Sequence, residues 1–331
     1  MLVVRVSSKT VALLAAAACL VAAAAVVAVV SPSSRRMVLG VRSGVTLAGQ
    51  NVGGLYADEL RRVVLTISEM LERNPQDAIY HSETGEVVRE RLGVSLDVDA
   101  TVDAVMAASR GAAVEPSLRA VPPSITATML RPVYGVNTSK QLVSLVFNVA
   151  WGEEFLPDVL AALRDAGARC TFFITGTWAK QFPNMVSAIK EEGHEIANHG
   201  MSHPHPKELP DSELEKLITD NEALLRQITG VRTVLFAPPY GEVDQRITGV
   251  AARLGYTTVM WTVDTIDWQR PAPDVVTQRA LARLAPGNIV LMHPTDPTAR
   301  ALGGILAQLK QKGYSAVTVS ELLKAGSARH G

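Results

Sequence analysis

A histidine-rich stretch over residues 194–206 holds the side chains best suited to chemistry, with four of the chain's seven histidines. Within it, His199 and His203 have the spacing His-x-x-x-His, and Pro204 disfavours helical geometry at His203, so the pair belongs to a loop after a short strand. Neutral imidazole binds zinc and other transition metals, and catalytic zinc sites use three protein ligands. The stretch therefore predicts two ligands of a divalent metal site, with an exposed His-Pro loop as the alternative.

Hydrophobic segments alternate regularly with helical segments from Gln141 onward. Such alternation favours a parallel α/β fold, either an open doubly wound sheet or a barrel. The predicted strands are QLVSLVFN, CTFFITG, HEIAN, TVLFAP, YTTVMWTV, NIVLMH and YSAVTVS.

Unusual polar residues follow these predicted strands at their carboxyl ends. In parallel α/β folds the carboxyl ends of the strands meet at one edge, where sites are built from several strands. This shared position favours the metal site over the exposed loop. The residues are Asn148, His199, His203, Pro239, Tyr240, Asp264, Asp267 and His293.

Residues 141–325 resemble the polysaccharide deacetylase (NodB-homology) family, through motifs in the family's order. HEIANHGMSH matches the His-x-x-x-His motif, and FAPPYG matches the Arg-x-Pro-Tyr-Gly motif except at the arginine. DTIDW matches Asp-x-x-Asp-Trp, LMH matches Leu-x-His, and ARCTFFITG is similar to the second strand. The resemblance implies an irregular (β/α)7 barrel over residues 141–326.

The resemblance also implies metal-dependent hydrolysis of N-acetyl groups on a cell-wall glycan, such as peptidoglycan or a chitin-like polymer. A divalent metal, with zinc expected, polarises the acetyl carbonyl, an aspartate acts as base, and a late histidine protonates the leaving amine. Matched to the motifs, His199 and His203 hold the metal and His293 is the acid. The residues expected to bind substrate are Pro239, Tyr240, Asp267, Trp268 and Leu291.

The first family motif, Thr-Phe-Asp-Asp, departs most from the pattern, because this chain has VFNV. Asn148 stands at the position of the base, Val149 at that of the metal-binding aspartate, and Ala237 at that of the arginine. Glu153, Glu154 or His205 could supply a replacement metal ligand, with a helix N-terminal acid as the alternative role of Glu154 and a surface position as that of His205. Asp264 could act as a replacement base. Two functions stay open: a metal-dependent deacetylase, and a catalytically inactive glycan-binding protein of the cell envelope. A third, weaker alternative is a structural partner in an envelope assembly.

A sporulation-associated branch of the family carries a sequence similar to Asn148-Val149-Ala150-Trp151-Gly152. That branch usually keeps the aspartate that this chain replaces with Asn148. The resemblance therefore suggests a role in sporulation but does not establish it.

The N-terminal region predicts a link to the membrane. Residues 11–30 lack any charged or strongly polar side chain, and twenty apolar residues can cross a bilayer as one helix. We expect a signal-anchor there, with a cleaved signal peptide and secretion as the alternative, after a cytoplasmic tail over residues 1–10. Because a cell-wall substrate lies outside the membrane, the bulk of the chain is expected to be extracytoplasmic.

Two further segments separate this region from the barrel. After a linker over residues 31–43, residues 44–114 resemble a peptidoglycan-binding α+β domain of Gram-positive envelope proteins, through GQNVGGL, TGEVVRERLGVSLDVDATVDAV and SRGAAV. Residues 115–140 are rich in proline and predict a second linker. The chain has 32 basic and 32 acidic residues, so nothing indicates a nucleic-acid partner, and the oligomeric state stays open.

Overall fold

The computed structural model of the chain describes residues 32–81, 84 and 86–331. The predicted cytoplasmic tail (residues 1–10) and membrane anchor (residues 11–30) lie outside these residues. Among the described residues, no helix is both long and apolar enough to cross a membrane. The chain divides into two units: a smaller one up to residue 76 with residues 91–123, and a larger one of residues 77–90 and 124–331.

The helices alternate with short strands along the described chain. The helices are α1 (Pro32–Leu39), α2 (Ala57–Leu71), α3 (Val98–Ala107), α4 (Leu156–Ala166), α5 (Gly176–Gln181), α6 (Pro183–Glu191), α7 (Asp211–Thr229), α8 (Gln245–Arg253), α9 (Pro273–Leu281), α10 (Asp296–Gln311) and α11 (Val319–Lys324). Single 3-10 turns cover Pro206–Glu208, Pro239–Gly241 and Asp267–Gln269.

Strands of two to eight residues make up the sheets. They are β1 (Thr46–Leu47), β2 (Gln50–Asn51), β3 (Ile79–His81), β4 (Glu86–Val88), β5 (Gly93–Leu96), β6 (Ala113–Val114), β7 (Leu118–Val121), β8 (Val133–Asn137), β9 (Leu142–Val149), β10 (Thr171–Ile174), β11 (Glu195–Asn198), β12 (Leu235–Phe236), β13 (Thr257–Thr258), β14 (Val263–Asp264), β15 (Ile289–Met292), β16 (Ser315–Ala316) and β17 (Ser327–His330).

The smaller unit is an α+β module around one apolar core. Helix α2 presents Leu60, Val64 and Ile67 at helical spacing, and these buried side chains pack with Val105 of α3. Helix α3 begins where the Asp97 carboxylate accepts a hydrogen bond from the Ala100 N–H, which satisfies one of the free donors of the first turn.

A curled, all-parallel sheet of eight strands is the main sheet of the larger unit, in the order β13-β12-β11-β10-β9-β15-β14 with β16 beside β9. This half-barrel fits the barrel architecture expected from the sequence. It has one strand more than the seven expected, because the YTTVMWTV segment forms two strands, β13 and β14. The chain leaves the sheet between them, where the Met260 N–H donates to the Val133 carbonyl.

The segments that the sequence indicated as linkers contain regular structure. Within residues 115–140, β7 pairs with β5 in the smaller unit, and β8 pairs with β17 in the larger one. The prolines are compatible with these strands because Pro122 and Pro123 lie just beyond the end of β7, where no ladder hydrogen bond is required. Residues 31–43 likewise contain α1. The hairpin of β3 and β4 groups with the larger unit.

Side chains along the central strands alternate between two apolar layers, as strand geometry requires. In β9, Val143, Leu145, Phe147 and Val149 belong to the layer between the sheet and its helices. Val146 belongs to a second cluster on the inner face of the curled sheet, with Phe173, Ala197, Leu235 and Leu291 as further members. Side chains that lie on the inner face at the carboxyl ends of the strands point toward one another. The face on which a residue lies therefore determines whether its side chain can take part in a site there.

Candidate functional site

A cavity of about 460 Å³ opens at the carboxyl ends of the strands of the larger unit. Its wall combines polar side chains from five strand ends with three tryptophans, which is a composition typical of small-molecule and glycan sites. The lining residues are Asn148, Ala150, Trp151, His199, His203, Tyr240, Gly241, Trp261, Asp264, Trp268, Leu291 and His293.

Strand alternation explains how the polar side chains converge. Asn148 follows Val146 on the inner face by a step of two residues, and His199 follows Ala197 in the same way. His293 likewise follows Leu291. The cavity therefore gathers the predicted residues of the first, third and sixth strand ends.

The two histidines of the His-x-x-x-His motif lie together in the cavity, with ring centroids 5.1 Å apart. His199 Nδ1 donates to the Ala237 carbonyl at 2.7 Å, which leaves the lone pair of Nε2 free to accept. Burial, with a smaller contribution from His203, lowers the pKa of His199 to about 3, so this ring is neutral at physiological pH. Burial also lowers the pKa of His203.

The predicted third metal ligand, Glu154, does not join the two histidines. The chain turns sharply at Gly152 (φ +91°) and carries Glu154 to an exposed position before α4. Val149, at the position of the family's metal-binding aspartate, is fully buried in the layer beneath the helices. Within the described part of the chain, no three side chains among His, Cys, Asp and Glu are grouped to hold a metal ion. The residues present therefore do not fit the three-ligand metal site of the family.

His293 is held in place by Asp267, which was expected to bind substrate. The fully buried Asp267 carboxylate accepts hydrogen bonds from the backbone N–H of His293 at 2.6 Å and from its Nδ1 at 2.8 Å. These bonds fix the imidazole ring and leave Nε2 as its free nitrogen. Because Asp267 does not line the cavity, we assign it to positioning of His293 and correct the substrate-binding prediction.

Tyr240 forms the rim of the cavity, whereas Pro239 lies buried behind it. The Tyr240 backbone is left-handed (φ 59°), and its ring contacts the edge of His203 and stacks on His205 at 4.1 Å. His205 in turn bonds to the Glu242 carboxylate at 2.9 Å. Tyr240 is therefore placed to contact a ligand in the cavity, whereas Pro239 is not.

Two tryptophans of the cavity were not predicted as site residues. The Trp151 ring lies parallel to that of His293, with centroids 5.8 Å apart. Trp261 follows β13, and its ring passes so close to Gly241 that a Cβ there would lie 2.6 Å from it. The sequence predicted a single strand through Trp261 and therefore did not indicate a site residue there. Trp151 appeared in the sequence only as part of a motif.

Asn148 and Asp264 complete the polar wall. Only 7% of Asn148 is exposed, and its Oδ1 atom is buried without a hydrogen-bond partner among the described residues. One Asp264 oxygen accepts from the Ile266 N–H at 2.8 Å, within a turn made by the left-handed backbone of Ile266 (φ 51°). Ala237, which replaces the family's arginine, packs in the inner apolar cluster and does not line the cavity.

A curled parallel sheet carries histidines, an amide and tryptophans at its carboxyl edge, which is the architecture expected for the polysaccharide deacetylase fold. The chain belongs to the polysaccharide deacetylase family, whose family model matches residues 135–259. It is 33% identical over 196 residues to a peptidoglycan-N-acetylglucosamine deacetylase of Bacillus cereus, covering 58% of this chain and 71% of that protein. It is also 40% identical over 205 residues to protein YlxY of Bacillus subtilis, covering 61% of this chain and 64% of that protein.

Solved structures similar to this chain include a protein that is described as a pseudoenzyme. BA3943 of Bacillus anthracis, described as a CE4 family pseudoenzyme, matches with a TM-score of 0.58 and 31% identity, over 80% of this chain and 94% of that one. A BA3943 mutant described as having restored enzymatic activity matches with a TM-score of 0.58 and 30% identity, over 80% of this chain and 97% of that one.

Zinc should bind this chain weakly, because among the described residues only the imidazoles of His199 and His203 are placed for it. In titration calorimetry at neutral pH, we expect a dissociation constant above about 1 μM. The residual binding should disappear in His199→Ala and persist in the control His81→Ala, which changes an exposed histidine. Tight one-to-one binding that depends on His199 would contradict the geometry, since it requires a third ligand.

Proposed function

We propose that this chain binds N-acetylated cell-wall glycan in the cavity and does not perform the metal-dependent hydrolysis of its family. One observation carries the proposal: β9 ends with an amide on its inner face and a valine on its outer face. Asn148 cannot take up a proton as a carboxylate base does, and Val149 offers no ligand atom. The two changes remove the base and one metal ligand at the same strand end.

The cavity keeps features suited to a sugar. Trp151, Trp261 and Trp268 supply broad apolar faces, while the side chains of Asn148 and His199 supply polar atoms at its floor. Aromatic walls with a few placed polar groups are the usual composition of a ligand pocket. The names of the relatives from Bacillus cereus support the choice of an N-acetylglucosamine polymer as the ligand.

A rewired deacetylase is the second candidate. Asp264 and His293 both line the cavity, and a carboxylate with a histidine fixed by Asp267 is a reasonable acid–base pair. In that case Asp264 would replace the lost base, and hydrolysis would proceed without an aspartate at position 148.

Restoring the family's residues should restore its reaction. We expect no release of acetate from N-acetylglucosamine oligomers by the wild-type chain or by Asn148→Asp alone. The triple variant Asn148→Asp, Val149→Asp, Ala237→Arg should exceed the wild-type rate by at least about 10²-fold with zinc present, since acid–base help alone contributes about that much. Adding His199→Ala to the triple variant should abolish the gain.

The triple variant has a second readout that does not depend on turnover. Val149 faces the apolar layer and not the cavity, so the Val149→Asp carboxylate should lower the melting temperature below that of wild type. Zinc should raise that temperature to the extent that the end of β9 turns the new carboxylate toward His199 and His203. Robust wild-type hydrolysis that survives Asn148→Ala but not Asp264→Asn would contradict the proposal and favour the rewired deacetylase.

We further propose that residues 11–30 anchor the chain in the membrane with residues 44–331 outside the cell. The twenty-residue apolar run and the extracellular location of cell-wall glycan support this placement. Alkaline phosphatase fused after Gly331 should be active, because that reporter folds only after export. An inactive fusion that is stably produced, beside a fluorescent one with a reporter restricted to the cytoplasm, would contradict it.

A further inference from the structure

Helix α1 is fixed to the surface of the smaller unit by contacts within the helix and just after it. The Arg36 guanidinium donates to both oxygens of the Glu59 carboxylate, at 2.6 and 2.8 Å. The buried residue Val41 donates its N–H to the Leu55 carbonyl, and its own carbonyl accepts from the Gly54 N–H. Helix α1 is therefore part of the folded unit, and the direction in which its side chains point is set.

The last turn of α1 exposes three large apolar side chains in succession. Met37 is 84% exposed, Val38 77% and Leu39 64%, and no other three consecutive large apolar residues are exposed in the described part of the chain. Contiguous exposed apolar side chains mark an interaction site, because their contact with water is unfavourable. We call residues 37–39 the apolar turn, and we expect an apolar surface to cover it.

A basic cavity of about 630 Å³ lies in the same unit, and Met37 belongs both to its wall and to the apolar turn. Arg36, Arg42 and Arg110 line the cavity, and its lining residues include no acidic side chain. Glu59 offsets the charge of Arg36, whereas Arg42 and Arg110 are exposed and form no ion pair with the described part of the chain. The basic cavity therefore suits a negatively charged group.

The sequence places a membrane close to both features. The apolar run proposed as the anchor ends at Val30, and α1 begins at Pro32. The helical rise from Pro32 to Val38 is about 9 Å, and the two residue steps before Pro32 add at most about 7 Å. Val38 therefore lies within about 16 Å of the end of the apolar run.

A membrane surface matches the apolar turn and the basic cavity together. Segments that lie in the membrane interface place apolar side chains among the acyl chains and basic side chains at the lipid phosphates. A soluble anionic polymer would match the basic cavity but would leave the apolar turn in water. The combination of the two features therefore favours a membrane as the partner.

We infer that the smaller unit docks on the membrane surface through the apolar turn and the basic cavity, with Arg42 and Arg110 binding the phosphates of anionic lipids. This inference goes beyond the glycan-binding function and rests on the membrane anchor proposed for residues 11–30. Docking fixes the smaller unit at the membrane, so that it does not move freely on a tether.

The test uses the full chain, held by its anchor in lipid nanodiscs of phosphatidylcholine with or without phosphatidylglycerol. Val38→Cys carries a fluorophore that reports the polarity of its surroundings, in a Cys19→Ala background in which the buried Cys170 should stay unlabelled. Emission should shift to the blue in the anionic discs, because the label enters the membrane interface. Salt at about 1 M should reverse the shift, since it shortens the Debye length to about 3 Å.

Removing the two exposed charges of the basic cavity should release the unit. Arg42→Gln combined with Arg110→Gln should lower the ratio of docked to undocked chain by at least about tenfold, since each arginine near an anionic surface contributes roughly fivefold. The matched control is Arg73→Gln combined with Arg91→Gln. It removes two exposed arginines of the same unit outside the cavity and should dock like wild type.

Equal emission in the two kinds of disc, or a shift that survives Arg42→Gln with Arg110→Gln, overturns the inference. Binding of soluble polyglycerol phosphate that depends on these two arginines, without any effect of lipid on the label, also overturns it and favours an anionic wall polymer. The discs contain no glycan, so none of these results bears on the glycan-binding function. A chain that does not remain in the discs overturns the anchor and the inference together, while glycan binding stands.

Discussion

The end of β9 places two neighbouring side chains on opposite faces of the sheet, and the chemistry of the cavity depends on this alternation. Asn148 faces inward and lines the cavity, while Val149 is buried outward beneath the helices. An acidic residue at either position would face a costly environment unless a metal or an arginine compensated its charge. Because Ala237 replaces the arginine, no positive side chain is available to compensate a carboxylate here. Uncharged side chains, Asn148 on the inner face and Val149 on the outer face, avoid this cost.

The hydrogen bonds that orient the histidines of the site are present although the aspartate base is replaced. Asp267 still fixes His293 through two hydrogen bonds, and the Ala237 carbonyl still sets the tautomer of His199. Close approaches also persist: a Cβ at Gly152 would lie 2.0 Å from the Pro294 carbonyl oxygen, so the turn that carries Trp151 toward His293 requires glycine. A scaffold that keeps its geometry without its base is well suited to binding, because binding needs shape and hydrogen bonds but no proton transfer.

Much of this site could be predicted from the sequence because its residues lie at the carboxyl ends of parallel strands. That rule predicts Asn148, His199 and His293 on one edge of the sheet. The rule failed where the local backbone geometry determines the direction in which a side chain points. The turn at Gly152 takes Glu154 away from the histidines, and the left-handed residue Ile266 sends Asp267 beneath His293 instead of into the cavity. Trp261 was missed because hydrophobic periodicity does not show where YTTVMWTV leaves the sheet.

A crystal structure of the full chain grown with chitotetraose and zinc would test the central claim most directly. The account predicts an intact sugar in the cavity, with its acetyl methyl among the tryptophans and its acetamido group within hydrogen-bond distance of the Asn148 amide. A de-N-acetylated sugar with acetate beside a fully coordinated zinc ion, or a glycan bound only elsewhere on the chain, would contradict it.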